Sequence, residues 1–91
     1  MRRSKTAMFD LDVAKAMLEM ERGDPRHDNI YYKAYGAGMI QSVLRGVSKK
    51  KISNSLDRLL SGGYVHLVDI RLFTLTESGI RLAMEGYNGL I

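Results

Sequence analysis

The feature that most constrains the fold is a glycine pair, Gly62-Gly63, where the chain changes from helical to strand spacing. Before it, residues 48–61 place apolar side chains at helical intervals, and the Ser48 hydroxyl can cap the first turn. After it, the runs 64–68 and 70–75 are rich in β-branched and aromatic residues. Since glycine accepts the left-handed conformation that ends a helix, we predict a capped helix followed by a short antiparallel hairpin with a tight turn at Val68-Asp69.

Further helices are predicted on both sides of this unit. The spacing predicts a helix from Phe9 to about Arg22, with an apolar arc wider than the ~100° stripe of a helix covered on one side. We interpret it as covered by its own domain and by a second subunit; a central helix within a monomer is the alternative. Residues 39–45 have helical spacing, and Gly36 and Gly38 mark a break or a close contact. A last helix, capped by Thr76, runs from there to about Glu85.

Length and composition are typical of one folded domain. Ninety-one residues suffice for one compact domain and are too few for two, so we assign 1–91 to a single domain, with 1–8 as a flexible basic arm. No apolar run reaches the roughly 18 residues of a membrane span and no secretory signal is recognisable, so we expect a cytoplasmic protein. There is no cysteine, metal-ligand cluster, cofactor motif or nucleophile–base pair. We therefore expect no metal, no cofactor and no enzyme activity.

Positive charge is concentrated in one middle segment. The net charge is +4, but residues 33–58 alone contribute +5, because six basic side chains there are opposed only by Asp57. The start of the chain adds Arg2, Arg3 and Lys5. This distribution is typical of a nucleic-acid-binding face. The alternative is a solvated, lysine-rich helix end.

Five short segments follow one another at fixed intervals: Gly46-Val47-Ser48, Ile52 with Leu56-Asp57-Arg58-Leu59, Gly62-Gly63-Tyr64-Val65 and Leu75-Thr76-Glu77-Ser78-Gly79 lie in the order turn, capped helix, glycine stop, hairpin and helix. This order resembles the winged helix-turn-helix superfamily, in the style of MarR- and PadR-like bacterial and archaeal regulators. The resemblance covers about residues 46–83 and implies a mainly α fold with a small β-hairpin, to which this chain adds an extra N-terminal helix. The wing departs from the family pattern, because it is short here, whereas the wings of the family are longer and more basic.

The resemblance implies that the helix at 48–61 enters the major groove of double-stranded DNA, which is about 12 Å wide and admits one α-helix. On the helical wheel, Lys50 and Asn54 lie at the centre of its exposed face. They are the candidates for reading bases, because asparagine can pair with adenine and lysine can donate to guanine. The other predicted DNA-binding residues are expected to contact mainly phosphates. They are Ser48, Lys49, Lys51, Arg58 and Arg71.

The leading expectation is a homodimeric, sequence-specific transcriptional regulator that reads half-sites about one helical turn apart. The predicted dimer contacts are helix 9–22 and the C-terminal tail 86–91, supported by apolar residues expected to be exposed: Leu82, Leu90 and Ile91. The alternative is a winged-helix protein-interaction module in a transcription, replication or recombination assembly. The short wing favours that alternative, and the lysine cluster with Asn54 opposes it.

Overall fold

The elements of the fold follow the predicted order. The computed structural model describes residues 4–23 and 33–88. Its elements are α1 (Lys5–Gly23), α2 (Ala37–Gln41), α3 (Lys49–Ser61), β1 (Val65–Asp69), β2 (Leu72–Leu75) and α4 (Glu77–Asn88). The two strands pair antiparallel, which confirms a mainly α fold with a small β-hairpin. None of the helices described has the length and apolar character needed to cross a membrane.

Helix α1 is the central helix of the fold. It contacts α2, α3, α4 and β2. The width of its apolar arc is therefore explained by packing within one chain, which is the alternative left open by the sequence. That arc gives no support for a second subunit. The α1 residues buried in this way are Val13, Ala14, Ala16, Met17 and Leu18.

The start of α1 differs from the prediction. The helix begins at Lys5, four residues before the predicted start at Phe9. The reason is local capping, because the Ser4 hydroxyl accepts a hydrogen bond from the Ala7 N–H at 3.1 Å. Lys5 therefore belongs to a helix rather than to a flexible arm. The other two basic residues of the predicted arm, Arg2 and Arg3, lie outside the described residues.

Helix α3 begins and ends where the sequence predicts. The Ser48 hydroxyl accepts a hydrogen bond from the Lys51 N–H at 3.1 Å. At the other end, the Tyr64 N–H donates to the Leu59 carbonyl at 2.9 Å, and Gly63 has a φ of +78°. This is the glycine-terminated Schellman arrangement, which satisfies carbonyls at the end of a helix.

The hairpin turn is displaced from its predicted position. The turn lies at Ile70-Arg71 rather than at Val68-Asp69. Strand β1 extends to Asp69, whose carboxylate accepts the Ile70 N–H at 2.7 Å and so stabilises a later turn. Arg71 completes the turn with a left-handed φ of +56°. The register is irregular between Leu67 and Asp69, which accommodates the shift.

A third extended segment joins the hairpin at a single residue. Tyr35 forms an antiparallel bridge with Phe73, with the Tyr35 N–H donating at 2.7 Å and the Phe73 N–H donating back at 2.9 Å. Strand β2 therefore has β1 on one side and Tyr35 on the other. A lone extended residue has no periodicity, so the sequence did not predict this pairing.

Helix α2 is shorter and earlier than predicted. It spans Ala37–Gln41 instead of 39–45. The Gln41 side chain donates to the Val47 carbonyl at 3.0 Å, and the chain turns through Gly46 at a φ of +83°. These contacts favour a turn after Gln41 rather than another helical turn.

The two glycines before and within α2 have different roles. A Cβ added at Gly36 would lie 3.2 Å from the Arg71 carbonyl oxygen, so the close contact predicted there is confirmed. Gly38 lies inside α2, and a Cβ added there would meet only the Lys49 side chain, at 3.7 Å or more. The break or close contact predicted at Gly38 is therefore wrong.

Helix α4 begins at the predicted cap. The Thr76 hydroxyl accepts a hydrogen bond from the Gly79 N–H at 3.1 Å.

The helices and the hairpin pack around one hydrophobic core. Leu82 is partly buried against this core, so its predicted exposure is wrong. Leu90 and Ile91 lie outside the described residues. The largest fully buried side chains are Phe73, Met17, Ile40, Ile52, Leu56, Val13 and Val65.

Candidate nucleic-acid interface

The predicted binding residues separate onto two sides of α3. Lys49, Lys50 and Asn54 line a cleft together with Arg71 of the hairpin turn. Lys51 and Arg58 contact side chains of α1 instead. The structure thus brings four of the seven predicted residues to one concave surface. Ser48 caps α3 at the edge of that surface.

The cleft lies where three elements meet. It has a volume of about 630 Å³. Residues 36–39 at the start of α2 form one part, α3 contributes Lys49, Lys50, Ser53 and Asn54, and the hairpin contributes Arg71. Its charged lining side chains are therefore all basic.

Three exposed side chains of α3 give the cleft its donors. Lys49, Lys50 and Asn54 are exposed, and the first turn of α3 contains no acidic residue. Lysine donates up to three hydrogen bonds, and an asparagine amide both donates and accepts. Positive charge in the first turn opposes the helix dipole, at a cost of roughly a few tenths of a kcal/mol per residue. An anionic partner bound at this end would offset that cost.

Arg71 is held by contacts to α3 and β2. Its Nη1 donates to Asp57 Oδ1 at 2.9 Å, and its Nη2 donates to the Ser53 hydroxyl. The guanidinium carbon lies 5.1 Å from the centre of the Phe73 ring. The positive charge of Arg71 is therefore already matched by the carboxylate of Asp57.

Arg58 is bound to α1 through the carboxylate of Asp10, which no sequence pattern marks. Its Nε donates to Asp10 Oδ2 at 3.0 Å and its Nη2 to Asp10 Oδ1 at 2.8 Å. The buried Ser55 hydroxyl donates to the same Oδ1 at 2.6 Å. The hydrogen bonds from Arg58 to Asp10 raise the pKa of Arg58; desolvation opposes this effect, and the charge of Asp10 adds to it.

No sequence signal could have identified Asp10. It lies 48 residues from Arg58 in the chain. A long-range ion pair of this kind follows from how α1 and α3 pack, which spacing within either helix does not determine.

Lys51 also lies on the α1 side. Its ammonium nitrogen lies 4.8 Å from the centre of the Phe9 ring, a distance at which a cation is attracted to the ring face. Lys51 remains exposed, so its charge still adds to the positive potential beside the cleft.

The described residues contain no candidate metal site. Within 4–23 and 33–88 there is no group of three or more His, Cys, Asp or Glu side chains able to hold a metal ion. His66 is an exposed strand residue, and His27 lies outside these ranges. Comparison of the chain with protein-family models, curated proteins and solved structures finds no match.

Proposed function

We propose that this protein is a winged-helix regulator that binds double-stranded DNA sequence-specifically through α3. The observation that carries the proposal is the shared exposure of Lys49, Lys50 and Asn54 on one face of a 13-residue helix, beside a cleft lined by basic and not acidic side chains. A helix of that length is about 20 Å long and fits the major groove.

The arrangement of elements supports the winged-helix part of the proposal. Winged helices place a helix-turn-helix beside a small antiparallel sheet, and here α2 and α3 precede a hairpin whose strand β2 also pairs with Tyr35. The order is helix, extended residue, two helices, hairpin and helix. The turn between α2 and α3 passes through Gly46. This order is the basis for assigning α3, rather than α1 or α4, to the groove.

The proposal assigns different tasks to the basic residues. Lys50 and Asn54 read base edges, since they are exposed at the centre of the outer face of α3. Lys49 and the N–H groups after Ser48 contact phosphates, and Lys51 adds a flanking contact. Arg58 is not among the proposed phosphate contacts, because its guanidinium already donates hydrogen bonds to Asp10.

The homodimer stays a prediction with reduced support. The apolar face of α1 is used by the core of a single chain, and residues 89–91 of the tail lie outside the described ranges. Apolar side chains still exposed on α1 and α4 include Met8 at 55% and Met84 at 38%. Sedimentation at micromolar concentration, with and without duplex, measures whether two copies associate before or upon binding.

A protein-interaction module is the second candidate function. The observation that favours it is the hairpin, whose turn is only two residues long and carries the apolar Ile70, 87% exposed, where DNA-binding wings present basic residues. An interaction module of this kind would have no affinity of its own for duplex DNA.

Selection of bound duplexes from a random pool, followed by affinity measurements at several salt concentrations, tests the proposal. We expect the pool to converge on preferred sequences. We also expect log K to fall linearly with log salt, because lysines displace counterions from phosphates. Lys50→Ala and Asn54→Ala should reduce the preference for selected over random duplex. Lys49→Ala should weaken both duplexes equally and reduce the salt slope by about 0.9.

Arg81→Ala is the matched control. Arg81 lies on α4 and is paired with Glu77 at 2.7 Å, outside the residues that line the cleft. Arg81→Ala removes the same formal charge as Lys49→Ala. Because Arg81 lies outside the cleft, this variant should keep an affinity and a salt slope close to those of the wild type. Absence of duplex binding by the wild type at low salt would refute DNA binding and leave the interaction module. An Arg81 variant as weak as the Lys49 variant would refute the assignment of the cleft.

A further inference from the structure

We propose that Arg71 is a positioning residue rather than a DNA contact: it fastens the hairpin turn to α3, and its charge stays paired with Asp57 when duplex is bound. The proposal rests on the proposed function, because it describes how the DNA-binding surface is held together. It assigns to Asp57 and Ser53, neither of which was predicted to have a role, the task of holding that clamp.

The backbone of Arg71 is the first observation. With a φ of +56°, it is the only residue other than glycine among those described that adopts a positive φ. This conformation is unfavourable for a long side chain, and glycine or asparagine would adopt it more readily. An arginine at this position is consistent with side-chain contacts that offset the backbone cost.

The second observation is that Arg71 contacts all three elements around the cleft. Its guanidinium is bound to Asp57 and Ser53 of α3 and lies over the Phe73 ring of β2. Its carbonyl oxygen lies so close to Gly36, at the start of α2, that a Cβ there would be 3.2 Å away. The turn is therefore bound to α3 by side-chain hydrogen bonds and lies close to the start of α2.

Charge balance gives the reason why the pair persists on DNA. If Arg71 left Asp57 for a phosphate, it would exchange one carboxylate partner for one phosphate partner. The Asp57 carboxylate, which is 57% exposed, would then face the phosphates unpaired. Like charges at close range repel, so the exchange replaces one attraction by another and adds one repulsion. The Arg71–Asp57 pair therefore contributes shape to the surface but no net charge.

Salt dependence of duplex binding distinguishes a clamp from a phosphate contact. In the clamp, Asp57→Ala with Arg71→Ala removes a neutral pair, so the double variant should keep the wild-type slope of log K against log salt. Asp57→Ala alone frees a cation, so its slope should be steeper by about 0.9, while its preference for the selected duplex should fall because the clamp is lost. A double variant whose slope is shallower than the wild type by about 0.9 would mean that Arg71 contacts a phosphate, and would overturn the proposal.

Conservative replacement adds a readout that charge alone does not determine. Arg71→Lys keeps the charge but loses the fork that reaches Asp57 and Ser53 together. As a positioning residue, Arg71 should not be rescued by lysine, and preference for the selected duplex should fall at least several-fold. A lysine variant with wild-type preference and slope would also overturn the clamp. Arg81→Lys is the control, because Arg81 forms a comparable ion pair with Glu77 on α4. It should change neither the preference for the selected duplex nor the salt slope.

Unfolding without DNA separates this proposal from the proposed function. If the wild type binds no duplex, the DNA-binding proposal fails, and the clamp is then decided by urea unfolding of the wild type, both single variants and the double variant. Non-additive shifts of the midpoint show that the two residues are coupled and support the clamp. Additive shifts overturn it.

Discussion

The Asp10 carboxylate of α1 accepts hydrogen bonds from two side chains of α3, the guanidinium of Arg58 through Nε and Nη2 and the hydroxyl of Ser55. The side chain of Asp10 is only 15% exposed, and Ser55 is fully buried. Asp10 therefore connects the helix assigned to the DNA groove with the central helix of the core. A buried hydroxyl that loses its acceptor destabilises the fold, whereas an exposed ion pair contributes little. The hydrogen bond from Ser55 is therefore expected to account for most of the stability that depends on Asp10.

We predict that Asp10→Ala lowers the free energy of unfolding by about 1–3 kcal/mol, because Ser55 and Arg58 lose their acceptor together. Asp10→Asn should cost less, since its amide oxygen can still accept from Ser55. Urea unfolding followed by circular dichroism measures both. Asp12→Ala is the control, because Asp12 is an exposed residue of the same helix. An equal loss in the Asp10→Ala and Asp12→Ala variants would contradict the role assigned to Asp10.

The pKa of Arg58 leads to a prediction about pH. Because Asp10 raises this pKa, the stabilisation by Arg58 is fully present below the unfolded-state pKa and is lost only as pH rises through the raised folded-state value. Both lie far above neutral. The difference in unfolding free energy between wild type and Arg58→Gln should therefore be constant from about pH 6 to pH 9. A difference that changes within that window would show that another group governs the contact.

The cap of α3 predicts a stability change that is independent of DNA. Ser48→Ala removes the oxygen that accepts the Lys51 N–H and should cost about 1 kcal/mol. Ser48→Asp retains an acceptor at the same position and places a negative charge near the helix start, so it should stay near wild-type stability. Thermal and urea unfolding of the free protein measure both variants. Equal losses in the two would show that the hydroxyl is not acting as a cap.

Local signals predicted the parts of this fold that depend on local chemistry. Ser48, Gly63 and Thr76 act at helix ends through hydrogen bonds or backbone conformations within a few residues, and each was located from the sequence. The hairpin turn was misplaced by two residues, because Asp69 stabilises the later turn through its side chain. Turn position depends on such bonds more than on the apolar pattern.

Features that depend on packing between distant segments could not be predicted. Tyr35 pairs with Phe73 at one residue, and Asp10 reaches Arg58 across two helices. For the same reason, only part of the candidate site could be predicted. Helical spacing identified the exposed face with Lys50 and Asn54, but not the contacts that bring Arg71 beside it and direct Arg58 away. Those depend on how α1, α3 and the hairpin fit together.

The start of α4 is pressed against the backbone that follows α3. Gly79 is buried, and a Cβ added there would overlap the Tyr64 carbonyl oxygen and lie 3.0 Å from Leu75 Cδ2. The same Tyr64 oxygen accepts the Thr76 N–H at 3.0 Å, so it is held in place. This oxygen cannot move aside without disturbing that hydrogen bond at the start of α4.

We therefore predict opposite signs for the same substitution at two helical glycines. Alanine normally stabilises a helix interior by about 1 kcal/mol relative to glycine. Gly38→Ala should also stabilise, by less than that because Gly38 is the second residue of the five-residue α2, since the nearest atoms belong to the flexible Lys49 side chain at 3.7 Å. Gly79→Ala should instead destabilise by about 1–3 kcal/mol, because backbone must move to admit the methyl group. Urea unfolding measures both, and a stabilised Gly79→Ala variant would contradict the close approach of α4 to Tyr64.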